Sequence, residues 1–331
     1  MIEIVSAVSK AELASFCSLR GPGAEDIAII ARHGADAHWM AVRDGVVEAR
    51  CSLWWSATPV YQMRKTGVIG HFAGTASAAA VLLDHACSEL AKQGCATAIG
   101  PMDGNTWRRY RVLTERNSWP PFFLEPDNPD DWPAIFTGAG FDSVAEYYSA
   151  RTSGLPVENL RAEAVWKRLS ERGFSIRSLA MESVEAELDR LYGLALASFS
   201  RNFLYTPIAR DEFLGQYQAV LSYIQPELVL IAEYQGRPCG FVFALPDFLE
   251  RRRQKRETII VKTLAVHPDA AGRGLGSVLL WQVNRAAAAL GYRSAIHALM
   301  HESNQSMKIS AREGQVFRRY TLYGRTLMAP S

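Results

Sequence analysis

A glycine-rich turn near the end of the chain carries the residues best suited to binding a phosphate. It lies within Thr263–Leu280, where an apolar stretch ending at Val266 is followed by Gly272, Gly274 and Gly276 and then by an apolar run. Glycine lets the main chain approach a ligand closely because it has no Cβ atom. The free N–H groups at a helix start, together with the helix dipole, favour an anion. The pattern therefore predicts a buried strand, a turn and a helix that together bind a pyrophosphate.

Two well-known phosphate-binding turns do not fit this stretch. A P-loop ends in Gly-Lys-Ser/Thr, and no lysine stands here. A dinucleotide fingerprint has Gly-x-Gly-x-x-Gly at the first turn of a repeating strand–helix–strand unit. Here the glycines are spaced Gly-x-Gly-x-Gly, which does not match that fingerprint. An ordinary structural turn with permissive glycines is the simpler alternative.

The run Leu264-Ala265-Val266-x-Pro268, followed by the glycines and an apolar helix, resembles the acyl-CoA-binding motif of the GCN5-related N-acetyltransferase (GNAT) superfamily. The resemblance implies that acetyl-CoA, or another acyl-CoA, is a co-substrate. The residues that it implies for binding are Leu264, Ala265, Val266, Gly272, Arg273, Gly274, Leu275, Gly276, Ser277 and Asn304. The match departs from the family at Ala271, where Arg or Gln is usual. We expect Arg273 to supply a positive charge near the phosphates instead.

Acyl transfer to an amine makes three demands on the site. The amine must lose a proton, the tetrahedral oxyanion needs hydrogen-bond donors, and the departing thiolate benefits from an acid. The resemblance implies that backbone N–H groups around Ala265 and Val266 face the oxyanion. It also implies a tyrosine acid at the position where this chain has Ser310. The candidate catalytic residues are therefore Glu257, His301, Glu302 and Tyr323, with Tyr320 nearby, and each has the alternative of being a packing or surface residue.

Three other segments have compositions that suggest a role. Residues 100–111 and 119–126 combine aromatic side chains, arginines and prolines, which suit a wall that grips an anionic or aromatic substrate. A buried seam between domains would have the same composition, and the same two readings apply to residues 202–207. The basic run at residues 251–256 is short and lacks interleaved aromatic residues, so a solvated loop is favoured over a nucleic-acid site.

Composition limits the class of protein. The chain has 331 residues and a formal net charge of +2, so we expect two domains and no nucleic-acid or membrane partner. The five cysteines are scattered and odd in number, which is typical of thiols in a reducing cytosol. Neither cysteines nor histidines have the spacing of metal ligands, and no metal is predicted. No signal segment or long apolar run is evident, so we expect a cytoplasmic protein, either a monomer or a homodimer.

The two halves of the sequence show the same order of predicted elements. A strand pair around Asp44-Gly45 matches a second pair around Gln235-Gly236, and a strand, a long helix and another strand follow in each half. We predict an α/β fold of two tandem acetyltransferase-like domains, 1–155 and 173–331, joined by a linker helix at 156–172. The resemblance implies that each has a mixed, mostly antiparallel sheet with splayed central strands, flanked by helices. Two unrelated α/β domains are the alternative.

Only the second copy has the loop glycines, so it alone is expected to bind the co-substrate. The first copy has His71 to Ala78 at the equivalent place. The function implied is an N-acetyltransferase that moves acetyl from acetyl-CoA to a primary amine of a small metabolite, by direct attack in a ternary complex. A long-chain acyl-CoA N-acyltransferase and a non-catalytic acyl-CoA-binding protein are the alternatives.

Overall fold

The structure is a computed structural model that describes residues 1–19, 26–252, 257–303 and 314–328. These residues form one large sheet with helices on both faces. The strands are β1 (Ile2–Ser6), β2 (Ala37–Arg43), β3 (Val46–Trp54), β4 (Thr66–Gly74), β5 (Thr97–Gly100), β6 (Val112–Arg116), β7 (Asp142–Thr152), β8 (Phe174–Ser178), β9 (Val229–Tyr234), β10 (Arg237–Pro246), β11 (Thr258–Val266), β12 (Ser294–His301) and β13 (Gly314–Thr326). The helices are α1 (Lys10–Ser18), α2 (Ile27–His33), α3 (Ala76–Lys92), α4 (Trp132–Gly138), α5 (Leu160–Ser170), α6 (Val184–Phe199), α7 (Arg210–Gln218), α8 (Phe248–Arg252) and α9 (Leu275–Ala289).

The sheet confirms the predicted mixed, mostly antiparallel architecture. Its strand order is β1-β2-β3-β4-β5-β13-β7-β12-β11-β10-β9-β8, and β6 pairs with β13 off this path. The β4–β5 and β11–β12 pairs are parallel, and the other pairs in the described residues are antiparallel. Each half of the chain therefore contributes one parallel pair, placed symmetrically about the centre of the sheet.

The two hairpins that the sequence singled out have the same turn. Asp44 and Gly45 join β2 to β3 with φ values of 50° and 78°, and Gln235 and Gly236 join β9 to β10 with φ values of 51° and 74°. Positive φ at both central residues gives a turn whose twist matches that of the flanking strands. The glycine at the second position adopts this conformation without strain.

The closing strands of the two halves are exchanged. Strand β7 ends the first half of the sequence but pairs with β12 of the second half. Strand β13 ends the described chain but pairs with β5 of the first half. The two exchanged strands also pair with each other, from Gly314↔Thr152 to Gly324↔Asp142. The predicted boundaries at 155 and 173 remain predictions, with α5 lying between them, but the sheet itself is continuous across both halves.

The helices cover the sheet in three apolar groups. Helices α3 and α4 bury Leu82 and Phe136 against the first half of the sheet. Helices α6 and α7 bury Leu191 and Phe213 on one face of the second half. Helix α9 buries Leu279 in the layer that also contains residues of α5. Among the described residues, no helix combines the length and apolarity needed to cross a bilayer.

A fully buried arginine fixes β13 to the loop that precedes α4. Arg318 is 2% exposed, and its Nε lies 2.8 Å from a carboxylate oxygen of Glu125. It also donates hydrogen bonds to the side chain of Asn117 and to the carbonyl oxygens of Trp119 and Pro120. The Glu125 side chain is 1% exposed, and although its carboxylate also accepts from the Tyr320 hydroxyl and the Phe122 N–H, Arg318 is the cation that balances its charge.

We expect Arg318→Met to lower the free energy of unfolding by about 3–5 kcal/mol, because it leaves a buried carboxylate unpaired. The matched control is Arg319→Met on the same strand, whose side chain is 42% exposed and forms surface ion pairs at 3.4 Å. That control should cost less than about 1 kcal/mol. Urea denaturation followed by fluorescence measures both. Equal losses in the two variants would show that Arg318 does not anchor this loop.

Candidate functional site

The parallel strands β11 and β12 separate part-way along their length. They pair from Thr258↔Ser294 to Val261↔His297, and no pair follows. On its other side β11 stays paired with β10 up to Val266, across a bulge near Lys262. Residues 262–266 of β11 and 298–301 of β12 therefore border an opening in the sheet, which we call the C-terminal splay. The edge of β11 that faces it has main-chain groups that β12 does not pair.

The glycine-rich turn lies at the end of β11, beside this splay. Gly272 and Gly274 have φ values of 75° and 86°, a region that glycine enters without strain. Gly274 is the N-cap of α9, and no side chain caps the helix. A Cβ at Gly272 would meet nothing within 4 Å, so the turn is open on that side. The exposed main chain and the uncapped helix start suit a phosphate group.

The structure brings most of the predicted binding residues together. Leu264 and Val266 lie next to Gly276, with side-chain carbons 3.8 and 3.7 Å from where its Cβ would be. Ala265 and Leu275 are buried beneath the turn. Three further predicted residues lie at the turn or outside the described chain: Arg273 is exposed, Ser277 is half-buried in the first turn of α9, and Asn304 falls outside the described residues.

Two of the four candidate catalytic residues lie at the open end of the splay. His301 is the last residue of β12, and Glu302 follows it. The Nδ1 atom of His301 accepts a hydrogen bond from the Ser303 N–H at 3.1 Å, which assigns the ring proton to Nε2 in the neutral form. Burial, and then the charge of Arg111, lower the pKa of His301 below its ordinary 6.5. His301 is therefore neutral near pH 7 and carries an N–H donor. Glu302 is exposed and lies 3.4 Å from Arg319.

The other two candidates lie elsewhere. Glu257 precedes β11 at the end opposite the splay, where its main-chain carbonyl accepts hydrogen bonds from the N–H groups of Arg293 and Ser294. Tyr323 is buried in the core of the first half, and its ring stacks on Phe136 at 5.6 Å. The cause is the strand exchange, which places the end of β13 beside β5 instead of β12. The usual tyrosine position, Ser310, lies outside the described residues.

Two cationic residues at the splay were missed by the sequence analysis. Lys262 lies on β11 where the pairing with β12 ends, and burial followed by the charge of Arg111 lowers its pKa to about 8. Arg111 comes from the first half of the chain. Its guanidinium carbon lies 3.8 Å from the Tyr110 ring centroid and 4.1 Å from that of Tyr147, and its Nη1 donates to the Leu299 carbonyl at 3.2 Å. The sequence signal was the arginine-rich segment 100–111, which gave no indication of which arginine enters the site.

That segment serves two purposes. Trp107 donates its indole N–H to the Thr206 carbonyl at 2.9 Å, and Arg108 forms a double hydrogen bond with Glu212 at 2.5 and 2.9 Å. These contacts join the first half to the α6–α7 region, as expected of a seam between domains. Arg111 instead lies at the splay. The seam reading therefore applies to Trp107 and Arg108, and the substrate-wall reading stays a prediction for Arg111. The basic side chains of the run at 251–256 fall outside the described part of the chain.

The equivalent opening in the first half is filled by the chain itself. The Met102 N–H donates to the Ile69 carbonyl at 2.8 Å, and the Asp103 carboxylate accepts from the His71 N–H at 2.6 Å. A Cβ at Gly70 would lie 2.1 Å from the Met102 carbonyl oxygen, so the close approach requires glycine there. Main-chain groups that β12 leaves unpaired at the C-terminal splay are thus hydrogen bonded at the equivalent opening of the first half.

A chain of hydrogen bonds runs behind this filled opening. His33 Nδ1 lies 2.8 Å from His71 Nε2, and the Ser52 hydroxyl lies 2.9 Å from His71 Nδ1 and 2.7 Å from His38 Nδ1. One proton per bond satisfies all of these atoms when the three histidines are neutral. Burial is the main cause that lowers the pKa of His71 to about 2 and that of His33 to about 4.

Two of these histidines, together with Asp103, form a cluster of possible metal ligands within the described residues. Ligand atoms of His33, His71 and Asp103 lie within 4.8 Å of one another. They are already hydrogen bonded, and the charges of Arg50 and Arg108 lower the pKa of His71, so the local potential opposes a cation. We assign no metal to it.

Comparison with known proteins agrees with this geometry. Residues 188–308, which include α9, the glycine-rich turn and both strands of the C-terminal splay, match the acetyltransferase (GNAT) family. The match covers residues 188–308 of the 331, and the fold of the described chain is that of tandem GNAT proteins. GNAT acetyltransferases transfer an acetyl group from acetyl-CoA to an amine, so the coarse activity implied is that of an acyl-CoA-dependent N-acetyltransferase.

Solved structures with the same fold are distant in sequence. A tandem GNAT protein from the clavulanic acid biosynthesis pathway is 14% identical with a TM-score of 0.51, and all of each chain is covered. A GNAT from Sphaerobacter thermophilus is 12% identical with a TM-score of 0.52, over 99% of this chain and 98% of that one. The glucosamine N-acetyltransferase region of a fungal multi-domain GH3 β-N-acetylglucosaminidase is 13% identical with a TM-score of 0.55. There the match covers 98% of this chain but only 38% of that one. No curated protein matches.

We expect the buried histidines of the first half to make folding pH-dependent. Unfolded His71 binds a proton below its ordinary pKa of 6.5, whereas the folded form stays neutral until about pH 2, so its contribution to stability is lost as pH falls. Between pH 7 and pH 5 this loss is about 2 kcal/mol. His71→Gln should therefore reduce the fall in unfolding free energy over that range by about the same amount.

The measurement is urea denaturation at both pH values, with the half-buried His267→Gln as control. Burial raises the pKa of Asp103 to about 6, which acts with the opposite sign, but Asp103 is present in all three proteins. An unchanged pH dependence in His71→Gln would contradict a neutral buried His71.

Proposed function

We propose that the second half of the chain transfers acetyl from acetyl-CoA to the primary amine of a small metabolite. The observation that carries this proposal is the C-terminal splay, where the β11–β12 pairing ends directly beside an uncapped, glycine-rich helix start. The pyrophosphate of the co-substrate fits the turn around Gly272 and Gly274, and the acyl arm fits the open edge of β11. The first half offers no second site of this kind, because its own opening is filled by Met102 and Asp103.

The proposed reaction is a direct displacement within a ternary complex. The amine nitrogen forms a bond to the acetyl carbonyl carbon, the carbon–sulfur bond breaks, and CoA leaves as a thiolate that takes a proton from solvent. The amine loses its proton to Glu302 through water, since this carboxylate is exposed at the end of β12. His301 donates from Nε2 and supports the developing negative charge. The proposal leaves Glu257 and Tyr323 without a chemical role, because they lie away from the splay.

The first test is calorimetry with acetyl-CoA, CoA and a long-chain acyl-CoA. One site per chain with a preference for acetyl-CoA supports the proposal. A preference for the long-chain compound would replace it with the long-chain acyltransferase alternative, and binding without turnover of any amine would favour a non-catalytic binding protein. Absence of binding by all three compounds would refute the assignment of the glycine-rich turn.

We expect Gly276→Asp to abolish binding without destabilising the fold. Gly274 is less suitable, because its φ is 86° and a Cβ there would lie 3.0 Å from Val165. At Gly276 the nearest atoms would be at the ordinary distance of 3.7 Å. A carboxylate in the first helical turn stabilises a helix by about 0.3–1 kcal/mol, yet it repels a pyrophosphate.

The matched control is Gly276→Asn, which has the same size but no charge. Acetyl-CoA affinity by calorimetry should fall at least about tenfold further in the Asp variant than in the Asn variant, at similar melting temperature. Equal affinities in these two variants would place the pyrophosphate elsewhere.

We expect Glu302→Gln to lower kcat/KM for acetyl transfer by about 10²–10⁴, since it removes the proton acceptor. Glu257→Gln, the same substitution at the far end of β11, should leave kcat/KM unchanged. A thiol-release assay measures both variants. If Glu257→Gln were the slower variant, the assignment of Glu302 would be wrong.

A further inference from the structure

We propose that the amine acceptor carries a carboxylate, which Lys262 and Arg111 bind at the C-terminal splay. This inference rests on the proposed function and names its substrate class. It assigns one of the two cations to each half of the chain, so that the acceptor site is shared between them.

The positive charge at the C-terminal splay has no counter-charge among the described residues. Arg111 lowers the pKa of both Lys262 and His301, so the three groups lie within electrostatic reach of one another. Within the described residues, neither Lys262 nor Arg111 forms an ion pair, and Lys262 makes no hydrogen bond. Arg111 is buried and Lys262 is half-buried, so two neighbouring cations without a counter-charge are unfavourable, and an anion that enters between them removes the cost.

Arg111 has a hydrogen-bond donor that no acceptor satisfies. This residue is 6% exposed, and its Nε has no hydrogen-bond partner although it is buried. The tyrosine rings of Tyr110 and Tyr147 hold the guanidinium in place, and its Nη1 is fixed on the Leu299 carbonyl. A guanidinium held rigidly with a free donor is well prepared to bind a carboxylate oxygen.

Lys262 and Arg111 lie on opposite sides of the C-terminal splay. Lys262 is the first residue of β11 beyond its pairing with β12, and Leu299, which holds Arg111, is on the opposite side of the same opening. His301 and Phe203, with ring centroids 5.6 Å apart, border it as well. A carboxylate at the two cations would therefore hold an attached amine near the edge of β11, where the acyl arm is proposed to lie.

The test uses matched pairs of amines, each an amino acid and its amide, such as glycine with glycinamide and β-alanine with β-alaninamide. Wild type and the variants Lys262→Met, Arg111→Lys and Arg285→Met are compared. Arg285 lies on α9, where its guanidinium carbon is 4.9 Å from the Trp281 ring, and its replacement is a control for net charge. Two readouts are taken: KM and kcat by thiol release, and binding of each amine to the protein–CoA complex by calorimetry.

We expect the carboxylate member of a pair to bind better and to have the lower KM. In Lys262→Met that advantage should fall at least about tenfold, the amount expected for a charged hydrogen bond, while the amide is unaffected. Arg285→Met should keep the wild-type preference. Arg111→Lys retains the charge but lacks the planar guanidinium, so it should lose part of the preference, with circular dichroism checking that it folds.

Three results would overturn the inference: amides used as well as carboxylates, carboxylate binding unaffected in Lys262→Met, or a Lys262→Met variant that loses affinity for CoA instead. The last would mean that the cations serve the co-substrate. Failure of the proposed function is distinguishable, because it would appear as carboxylate binding that depends on Lys262 without any acetyl transfer. In that case the anion site stands and the enzyme assignment falls.

Discussion

The pairing of β7 with β13 is the constraint on which the rest of the structure depends. Each of these strands comes from one half of the sequence and is bordered on its other side by the opposite half. Removing either half would leave long unpaired strand edges in the other, which is costly and promotes aggregation. The exchange therefore makes the two copies one folding structure. It also brings the segment after β5 close to the end of β12. The seam between the halves and the proposed acceptor site, which takes residues from both halves, depend on this proximity.

In the first copy the opening is filled, yet this copy contributes side chains to the second half. Its own opening is closed by Met102 and Asp103, and this closure requires Gly70 where a side chain would collide. The chain that closes the opening then continues to Arg108 and Arg111. One of these docks on Glu212 and the other lies at the splay of the second copy. In the proposed function, the first copy therefore supplies part of the wall of the site in the second half, although it has no loop glycines.

How much was predictable from sequence depended on whether the determinants were local. The turn at Gly272–Gly276 and the two hairpins were predicted because their conformation is set by a few consecutive residues, and glycine at positive φ is the signal. Tyr323 was named as a catalytic candidate but lies in the core of the first half, because its neighbours are decided by which strand β13 joins, and no local pattern encodes an exchange. Lys262 was overlooked for a related reason. In sequence it is one lysine within an apolar strand. Its place at the splay depends on where β12 separates from β11 and on Arg111, which is more than a hundred residues away in sequence.

The buried arginines show how a structural charge differs from one kept ready for a ligand. Arg318 and Arg50 are buried as deeply as Arg111, but their guanidinium groups bond carbonyl and carboxylate oxygens of the same chain. A charge satisfied in this way gains nothing from a ligand and only fixes the fold. Arg111 keeps a buried donor without a partner, and burial together with the charge of Arg111 lowers the pKa of Lys262. The proposed carboxylate would supply the missing counter-charge and hydrogen-bond acceptor, and so remove the cost of the uncompensated charges in the free protein. The free energy that an unsatisfied pair costs the fold therefore reappears as affinity for the group that completes it.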